Sequence, residues 1–376
     1  MIKNIEKKSS GKSAGKVALH IIRIVVSIVF IFSGFVKLVD PLGFTYKIED
    51  YLVAFGGFME NLSGWALPMS IGISTFEMLL GLSLFFQIKL RTTSIFILIF
   101  MLVMTPLTLW IAIKNPVTDC GCFGEALVIS NWATFYKNIV LLIFILIIIG
   151  FSKQFKQIFL TYVECLFFLI FIGSGVGIAL YSLRNLPIID FLPYKTGTNI
   201  PEAMYVPEDA PTDKYETTFI YEKDGIQKEF TLENYPKGDS TWKFVDQKTT
   251  LISEGYKAPI HNLTMVNDMG DDITEDVIYY PKYTYILIMY DLDKASIEGA
   301  IEAQKLYERY KNSSTKFYAL TASGDDKVES FRELTGATFP FCKTDPITLK
   351  TMVRSNPGLM LIHNGVIEGK WSWRNF

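Results

Sequence analysis

The sequence predicts a helical membrane bundle followed by a soluble α/β domain, and three observations carry that reading. Long stretches between Val17 and Leu183 are almost free of charge, whereas the remainder to Phe376 mixes acids, lysines and aromatics as a water-soluble domain does. Five apolar stretches reach the roughly 20 residues that a helix needs to cross a bilayer. Beyond Tyr256, strand and helix patterns alternate and finish in an antiparallel hairpin, the order expected of a mixed sheet layered with helices.

The spans are expected at about Val17–Leu38, Ala66–Phe86, Thr92–Ile113, Phe135–Phe151 and Ile158–Leu180. The lysine-rich segment before the first has no convincing small-residue cleavage site, so this run is read as a retained span and not a signal peptide. Arg23 and Lys37 stand near its ends, from which long side chains can snorkel to the headgroups. Lys37 is expected to pair locally with Asp40. The half-apolar stretch 47–63 is expected to lie along the outer interface as an amphipathic or re-entrant packing element.

Orientation follows the excess of basic residues on cytoplasmic flanks. With the N-terminus inside, those flanks hold Lys3, Lys7, Lys8, Lys12, Lys16, Arg23, Lys89, Arg91, Lys153 and Lys156. The opposite side holds Lys37, Lys47, Lys114 and Lys137. An odd number of spans then puts everything after Leu183 outside, together with the loop between the third and fourth spans. A bacterial cytoplasmic membrane with an extracytoplasmic (periplasmic) C-terminal domain is the expected setting, with the lipid bilayer as first partner.

Composition excludes several classes. The balance of 36 basic and 38 acidic residues gives no concentrated basic face, so no nucleic-acid partner is expected. Four cysteines, at 120, 122, 165 and 342, are too few for a disulfide scaffold. Three histidines, none near the close cysteine pair, leave no ligand set at zinc spacing, and no metal is expected.

The loop KNPVTDCGCFGEALV sets Cys120 and Cys122 one residue apart, with Gly121 between and Gly124 following. Glycine at these points permits a tight turn that lets the two sulfurs face each other. A disulfide closed over one residue is strained, and strained or exposed disulfides are the labile, catalytic kind. The pair is therefore the candidate redox centre, on the side of the membrane where disulfides persist. The alternative is two small apolar residues in a glycine turn that caps the bundle. Asp119 and Glu125 flank the pair, and nearby negative charge opposes thiolate formation, so either these acids point away or one carries protons.

Glu77 sits mid-span in SIGISTFEMLLGLSLFF, where an acid costs about 2.5–3.5 kcal/mol on insertion scales and must face the bundle interior. It is a proton acceptor coupled to electron transfer, a contact for a quinone-like headgroup, or a structural hydrogen bond to another span. Cys165 in the fifth span is expected to be an inert packing residue. The small residues of GSGVG, 173–177, permit close helix approach.

Prolines at 187, 193, 201, 207 and 211 suggest a stiff linker after Leu183. YETTFIYEKDGIQKEFTLENYP alternates about Asp224-Gly225 as a β-hairpin, and TWKFVDQKTTLI extends it into a small β-rich insert. The later order is strand 283–290, helix SIEGAIEAQKLYERY, strand KFYALTA, helix DKVESFREL, a short FPFC, helix ITLKTMV, and hairpin strands about Asn364-Gly365. Asn356 and Pro357, just before a strand, mark where a cis-proline would shape a substrate groove, and Cys342 lies beside it.

FSGFVKLVDP, FEMLLGLSL around Glu77, and DCGCFG give the membrane half a resemblance to DoxX/MauE-type proteins over roughly residues 17–151. The resemblance implies a four-helix bundle of the kind also seen in quinone-linked disulfide-forming enzymes. It implies help to a periplasmic client in acquiring disulfides, as in methylamine dehydrogenase maturation, with Cys120 and Cys122 in the redox role. A quinone is the cofactor this analogy suggests. The C-terminal part resembles a thioredoxin-like domain of the peroxiredoxin/thiol-reductase branch through its strand–helix order, FPF at 339–341 and NPGLMLI at 356–362. It departs from that family after the first central strand, where DLDKASIEG stands in place of Cys-x-x-Cys. Its last helix is expected to be missing or supplied otherwise.

The division expected is a cytoplasmic tail at 1–16, a four-helix membrane domain at 17–151, a fifth span at 152–183, a linker and hairpin insert at 184–254, and the thioredoxin-like domain at 255–376. The function expected is extracytoplasmic thiol/disulfide exchange, making the chain a thiol–disulfide oxidoreductase. Cys342 either faces the pair or is a buried thiol. The competing reading is a non-catalytic, membrane-anchored assembly factor whose degenerate thioredoxin-like domain grips a partner. Transport built around Glu77 is disfavoured by five spans with little internal polarity and no repeat.

Overall fold

The computed structural model describes residues 2–117, 119–156, 158–253 and 255–376, and the side chains of these except 2–14 and 250–253. The side chains of Lys3, Lys7, Lys8 and Lys12, used for orientation, and Thr118 of the cysteine loop lie outside the described residues.

Among the described residues, five helices are long and apolar enough to cross a membrane: α1 (Ile2–Val39) from Gly15 onward, α3 (Ala66–Phe85), α4 (Leu90–Lys114), α5 (Asn131–Gly150) and α6 (Thr161–Arg184). The stretch expected at the interface belongs to a helix, α2 (Pro41–Phe55), and a 3-10 turn, Gly57–Trp65. Asp40 caps α2 by accepting from Gly43 N at 3.0 Å, and Pro41 occupies the first turn, where no amide partner is lost. Phe44, Ile48 and Leu52, four apart, bury one face of α2 against Ala66.

Glycine sets how closely α1 and α3 approach. A Cβ at Gly34 would lie 2.5 Å from Met78 N, and one at Gly81 would lie 2.6 Å from Ile31 N. Backbones therefore touch at two levels, as small residues allow in a membrane, and side chains on the facing stripes of the two helices are forced together. In the GSGVG segment Gly175 alone does this work, its Cβ position lying 3.0 Å from Thr75, while Gly173 and Gly177 face open space.

Two expectations for α1 are corrected. Arg23 does not snorkel: it is buried and donates to Leu84 O at 2.8 Å and to Phe85 O. Beyond the end of α3 Leu84 O accepts only from the turn that follows, with Gln87 N at 3.3 Å, so a cation at that point adds to its hydrogen bonding. Lys37 does not pair with Asp40; it turns inward to Glu77. Cys165 is also corrected, being exposed on the outside of α6 and not packed.

The soluble part holds two sheets. The insert is a three-stranded antiparallel sheet in the order β2-β1-β3, from β1 (Lys214–Lys223), β2 (Ile226–Thr231) and β3 (Lys243–Ser253), with the expected turn at Asp224-Gly225. Short helices α7 (Ile200–Met204) and α8 (Thr274–Ile278) flank it in sequence. The main sheet runs β6-β5-β4-β7-β8, from β4 (Tyr283–Met289), β5 (Lys316–Thr321), β6 (Phe341–Lys343), β7 (Gly358–His363) and β8 (Val366–Ser372). Strands β4, β5 and β6 are parallel, and β7 and β8 antiparallel. A βαβ unit followed by an antiparallel hairpin on the other side of the first strand is the thioredoxin-like arrangement.

Alternation along β4 builds two cores. Ile286 and Ile288 face one with Leu349 and Met352 of α11 (Pro346–Met352), and Leu287 and Met289 face the other. In that second core lie Ala300 and Ala303 of α9 (Ile297–Tyr310) and Val328 and Phe331 of α10 (Asp325–Thr335).

The linker is not a free spacer. Tyr194 and Ile200 enter the first core and Leu192 is buried beside them in sequence, and Gly197 N donates to Ile367 O at 2.7 Å while Ile367 N donates to Thr198 O at 3.0 Å. Strand β8 has an open edge, and this segment pairs with it. Apolar residues between the prolines, and not the prolines themselves, decide where the segment goes.

Candidate functional site

The cysteine loop is anchored at its base before it carries any chemistry. Asn115 ends α4 in the left-handed region, and Asn131 Nδ2 donates to Asn115 Oδ1 at 2.8 Å and Val117 O at 3.1 Å. Gly121 at φ +66° and Gly124 at φ +51° supply the turn, closed by Gly124 N to Gly121 O at 3.1 Å. Two side chains from elsewhere and one from the loop itself hold the backbone. Tyr51 of α2 donates to Cys120 O at 2.6 Å, Ser33 of α1 donates to Cys122 O at 2.6 Å, and Asp119 accepts from Gly121 N at 2.8 Å.

The two thiols are buried and hydrogen-bonded to one another. That bond divides their acidities. Donation from Cys120 holds Cys122 down to about 6 against the penalty of burial, with the charges of Lys137 and Lys37 adding to the lowering. Cys120, the donor, is pushed well up by the same bond and by burial. The loop therefore holds one thiol disposed to be a thiolate and one disposed to keep its proton, the division a nucleophile and its resolving partner require.

Cys122, Lys37, Glu77, Lys137, Asn138 and Ser33 line one small pocket. Lys37 Nζ lies 2.7 Å from Glu77 Oε2, with both side chains buried, so the carboxylate fixes the ammonium beside the sulfur. Lys137 Nζ lies 4.3 Å from the centre of the Phe123 ring, which holds that second cation at the mouth of the loop. The space measures ≈ 20 Å³, enough for about one water molecule.

The flanking acids are accounted for differently. Asp119 is bound by Lys47 at 2.6 Å, which answers much of its charge, and Glu125 is exposed on the loop. Glu77 has the buried partner a mid-span acid needs, and that partner is a lysine.

The remaining predicted site residues lie in the soluble domain. Asn356-Pro357 is a cis peptide bond. Asn356 Nδ2 donates to Asp291 O at 2.7 Å, and Ser296 N donates to Asn356 O at 3.0 Å. The proline loop thus lies against the loop after β4, where the related fold carries its dithiol. Cys342 is in the first core with Leu320 and Ile288, and burial pushes its thiol up to about 11. The structure brings together Cys120, Cys122 and Glu77, and separately Asn356 and Pro357.

Lys37, Lys137, Lys47, Tyr51 and Ser33 are site residues that the sequence reading did not assign. A usable signal existed for one of them. Lys37 and Glu77 are opposite charges in successive spans, and buried ions in membranes pair with each other.

Residues 15–151 match the family described as Methylamine utilisation protein MauE, and residues 215–254 match a domain of unknown function, DUF8463. No curated protein matches the chain. Among solved structures, the chain is similar to the solution structure of a candidate protein disulfide isomerase from Bacteroides thetaiotaomicron. The two are 15% identical, the match covers 30% of this chain and 76% of that one, and the TM-score is 0.26. The strand order described above, and not that likeness, identifies the soluble fold. The chain thus joins a membrane domain that matches the MauE family model at residues 15–151 to a domain with the thioredoxin-like strand order.

Proposed function

We propose that this protein exchanges disulfides on the extracytoplasmic face of a bacterial cytoplasmic membrane, with a client protein dithiol as substrate and Cys120 and Cys122 as the exchanging pair. A MauE-family membrane domain and a thioredoxin-like domain on one chain support a membrane redox role. The observation that carries the finer reading is the thiol of Cys122, hydrogen-bonded by Cys120 and sharing one small pocket with Lys37. Such a setting stabilises a thiolate and has little value for a packing residue.

Exchange runs as follows. A client thiolate attacks Cys122 Sγ of the Cys120–Cys122 disulfide, and Cys120 leaves and takes a proton. The second client thiolate then attacks the client sulfur of the mixed disulfide, and Cys122 leaves as a thiolate stabilised by Lys37 and Lys137. A low-pKa thiol is the better leaving group in that step. Two electrons pass from client to pair, Cys120 takes up one proton and the other goes to water, and one disulfide is formed as one is broken. The thioredoxin-like domain, without cysteine in its loop after β4, contributes client binding around Asn356 and Pro357.

The distribution of Lys and Arg supports the orientation. So does the meeting of the cysteine loop and the soluble domain at one end of the bundle, through Asp40 and Arg354. The test is transfer of a disulfide from the full chain in vesicles to a reduced client protein, with Cys120→Ser and Cys122→Ser variants that still reach the membrane. Loss of transfer in each supports the proposal. Full biological activity in both variants would leave the assembly-factor reading in its place.

A further inference from the structure

We propose that the end of the bundle opposite the cysteines holds a binding site for the phosphoethanolamine headgroup of a membrane lipid. A cleft of ≈ 420 Å³ opens there between the α3–α4 turn and the α5–α6 connection, and Lys89, Arg91, Ser152, Lys156, Thr161 and Glu164 line it. Two long helices begin at this cleft, α4 with 25 residues and α6 with 24, and neither start is capped by a side chain. Uncapped first-turn amides and three cationic side chains together favour a phosphate.

An independent observation makes the site more specific than a basic rim. Glu164 is 1% exposed, and its Oε1 accepts only a long contact, 3.5 Å, from Lys89 N. Its Oε2 has no partner among the described residues. A buried carboxylate oxygen without a donor is costly, and a bare phosphate placed beside it would add repulsion. A ligand that carries its own N–H cation a short distance from its phosphate answers both features: the phosphate meets the basic residues and the ammonium meets Glu164.

The surroundings favour a lipid over a soluble phosphoester. Ile158, Leu160 and Tyr162 are exposed on the segment that forms one wall, at 58%, 64% and 71%. All lie at the ends of the spans, at the depth where headgroups give way to acyl chains.

The experiment is native mass spectrometry of the detergent-solubilised full chain, titrated with phosphatidylethanolamine and phosphatidylcholine of identical acyl chains, with phosphatidylglycerol and with soluble O-phosphoethanolamine as competitors. The trimethylated headgroup keeps the phosphate and the charge but has no N–H to donate, so the ethanolamine lipid is expected to bind about tenfold tighter, the worth of one charge-assisted hydrogen bond. Glu164→Gln should remove that preference, whereas Arg91→Ala and Lys156→Ala should weaken both lipids equally. Equal binding of the two lipids to the unaltered chain overturns the proposal without recourse to any variant. Tighter binding of phosphatidylglycerol overturns the ammonium assignment. Displacement by soluble O-phosphoethanolamine at concentrations comparable to the lipid overturns the lipid source.

Discussion

Arg354 of the soluble domain and Asp40 at the start of α2 stand 314 positions apart and form a buried ion pair. Arg354 Nε lies 3.0 Å from both carboxylate oxygens and Nη2 lies 2.9 Å from Oδ2, with side chains 4% and 12% exposed. Neighbouring contacts extend the joint. Lys350 Nζ sits 4.4 Å from the centre of the Tyr46 ring, Tyr46 hydrogen-bonds Tyr290, and Ser372 Oγ donates to Arg184 O at 3.4 Å. Because Arg354 precedes the proline loop by two residues and Asp40 begins the helix carrying Lys47 and Tyr51, the pair sets the groove of one domain beside the cysteine loop of the other.

Removing one member of such a pair leaves a buried charge uncompensated, a loss of about 3–5 kcal/mol. Arg354→Ala is therefore expected to lower the thermal unfolding temperature of the purified chain and to expose the 184–190 segment to protease. The exchanged pair, Asp40→Arg with Arg354→Asp, should recover part of the loss. Additive destabilisation in that double variant would mean that the two side chains act independently.

The acidity of Cys122 gives a pH-dependent prediction. Its thiol is held down to about 6, first by the hydrogen bond from Cys120 and then by Lys137 and Lys37. The reactive thiolate is thus present above that pH and is lost as pH falls through it. In a Cys165→Ala background, alkylation of the reduced chain should show one thiol with a midpoint near 6. Cys120→Ala should move that midpoint upward, and Lys137→Met should do so by less. Cys342, pushed up to about 11 by burial, should stay unlabelled at neutral pH. A midpoint of about 8.5, that of a free cysteine, for every labelled thiol would refute the arrangement.

The Lys37–Glu77 pair makes a separate prediction, because it lies within the bundle and also serves the site. Glu77→Gln leaves Lys37 buried without its counter-ion and should cost about 3–5 kcal/mol, read as a lowered melting temperature in detergent. Lys37→Met with Glu77→Met removes both charges, should restore most of the stability, and should still slow alkylation of Cys122. If alkylation is unchanged in that double variant, the lysine has no part in activating the sulfur.

Local patterns in the sequence recovered the elements, and contacts between distant elements escaped it. Runs of apolar residues located all five spans, and Asn364-Gly365, both at positive φ, marked the last hairpin. The glycine between Cys120 and Cys122 announced a turn that the structure contains. Side chains that arrive from elsewhere were not legible. Lys37 reaches Glu77 across 40 positions only because Gly34 and Gly81 bring α1 against α3, and Lys47 reaches Asp119 across 72. Arg354 carries no local sign that its partner is in the membrane domain. The linker misled for a related reason: its prolines describe the stiffness of a free chain, whereas Tyr194, Ile200 and the open edge of β8 determine its course.

The three-stranded insert is expected to be removable. Its ends meet where Tyr256 N donates to Pro211 O at 2.7 Å and Gly255 N donates to Asp213 Oδ1 at 2.7 Å. Within it, Tyr221, Phe230, Trp242 and Phe244 pack on one another, and its strands are largely exposed or half-buried. A segment with adjoining ends and its own contacts can be exchanged for a short turn at little cost. Replacing residues 212–255 by two glycines should change the stability of the rest of the chain by less than about 1 kcal/mol, the scale of surface changes. Circular dichroism melts of the shortened and full chains measure this, and a fall in melting temperature of the size expected for Arg354→Ala would show that the insert braces the thioredoxin-like domain.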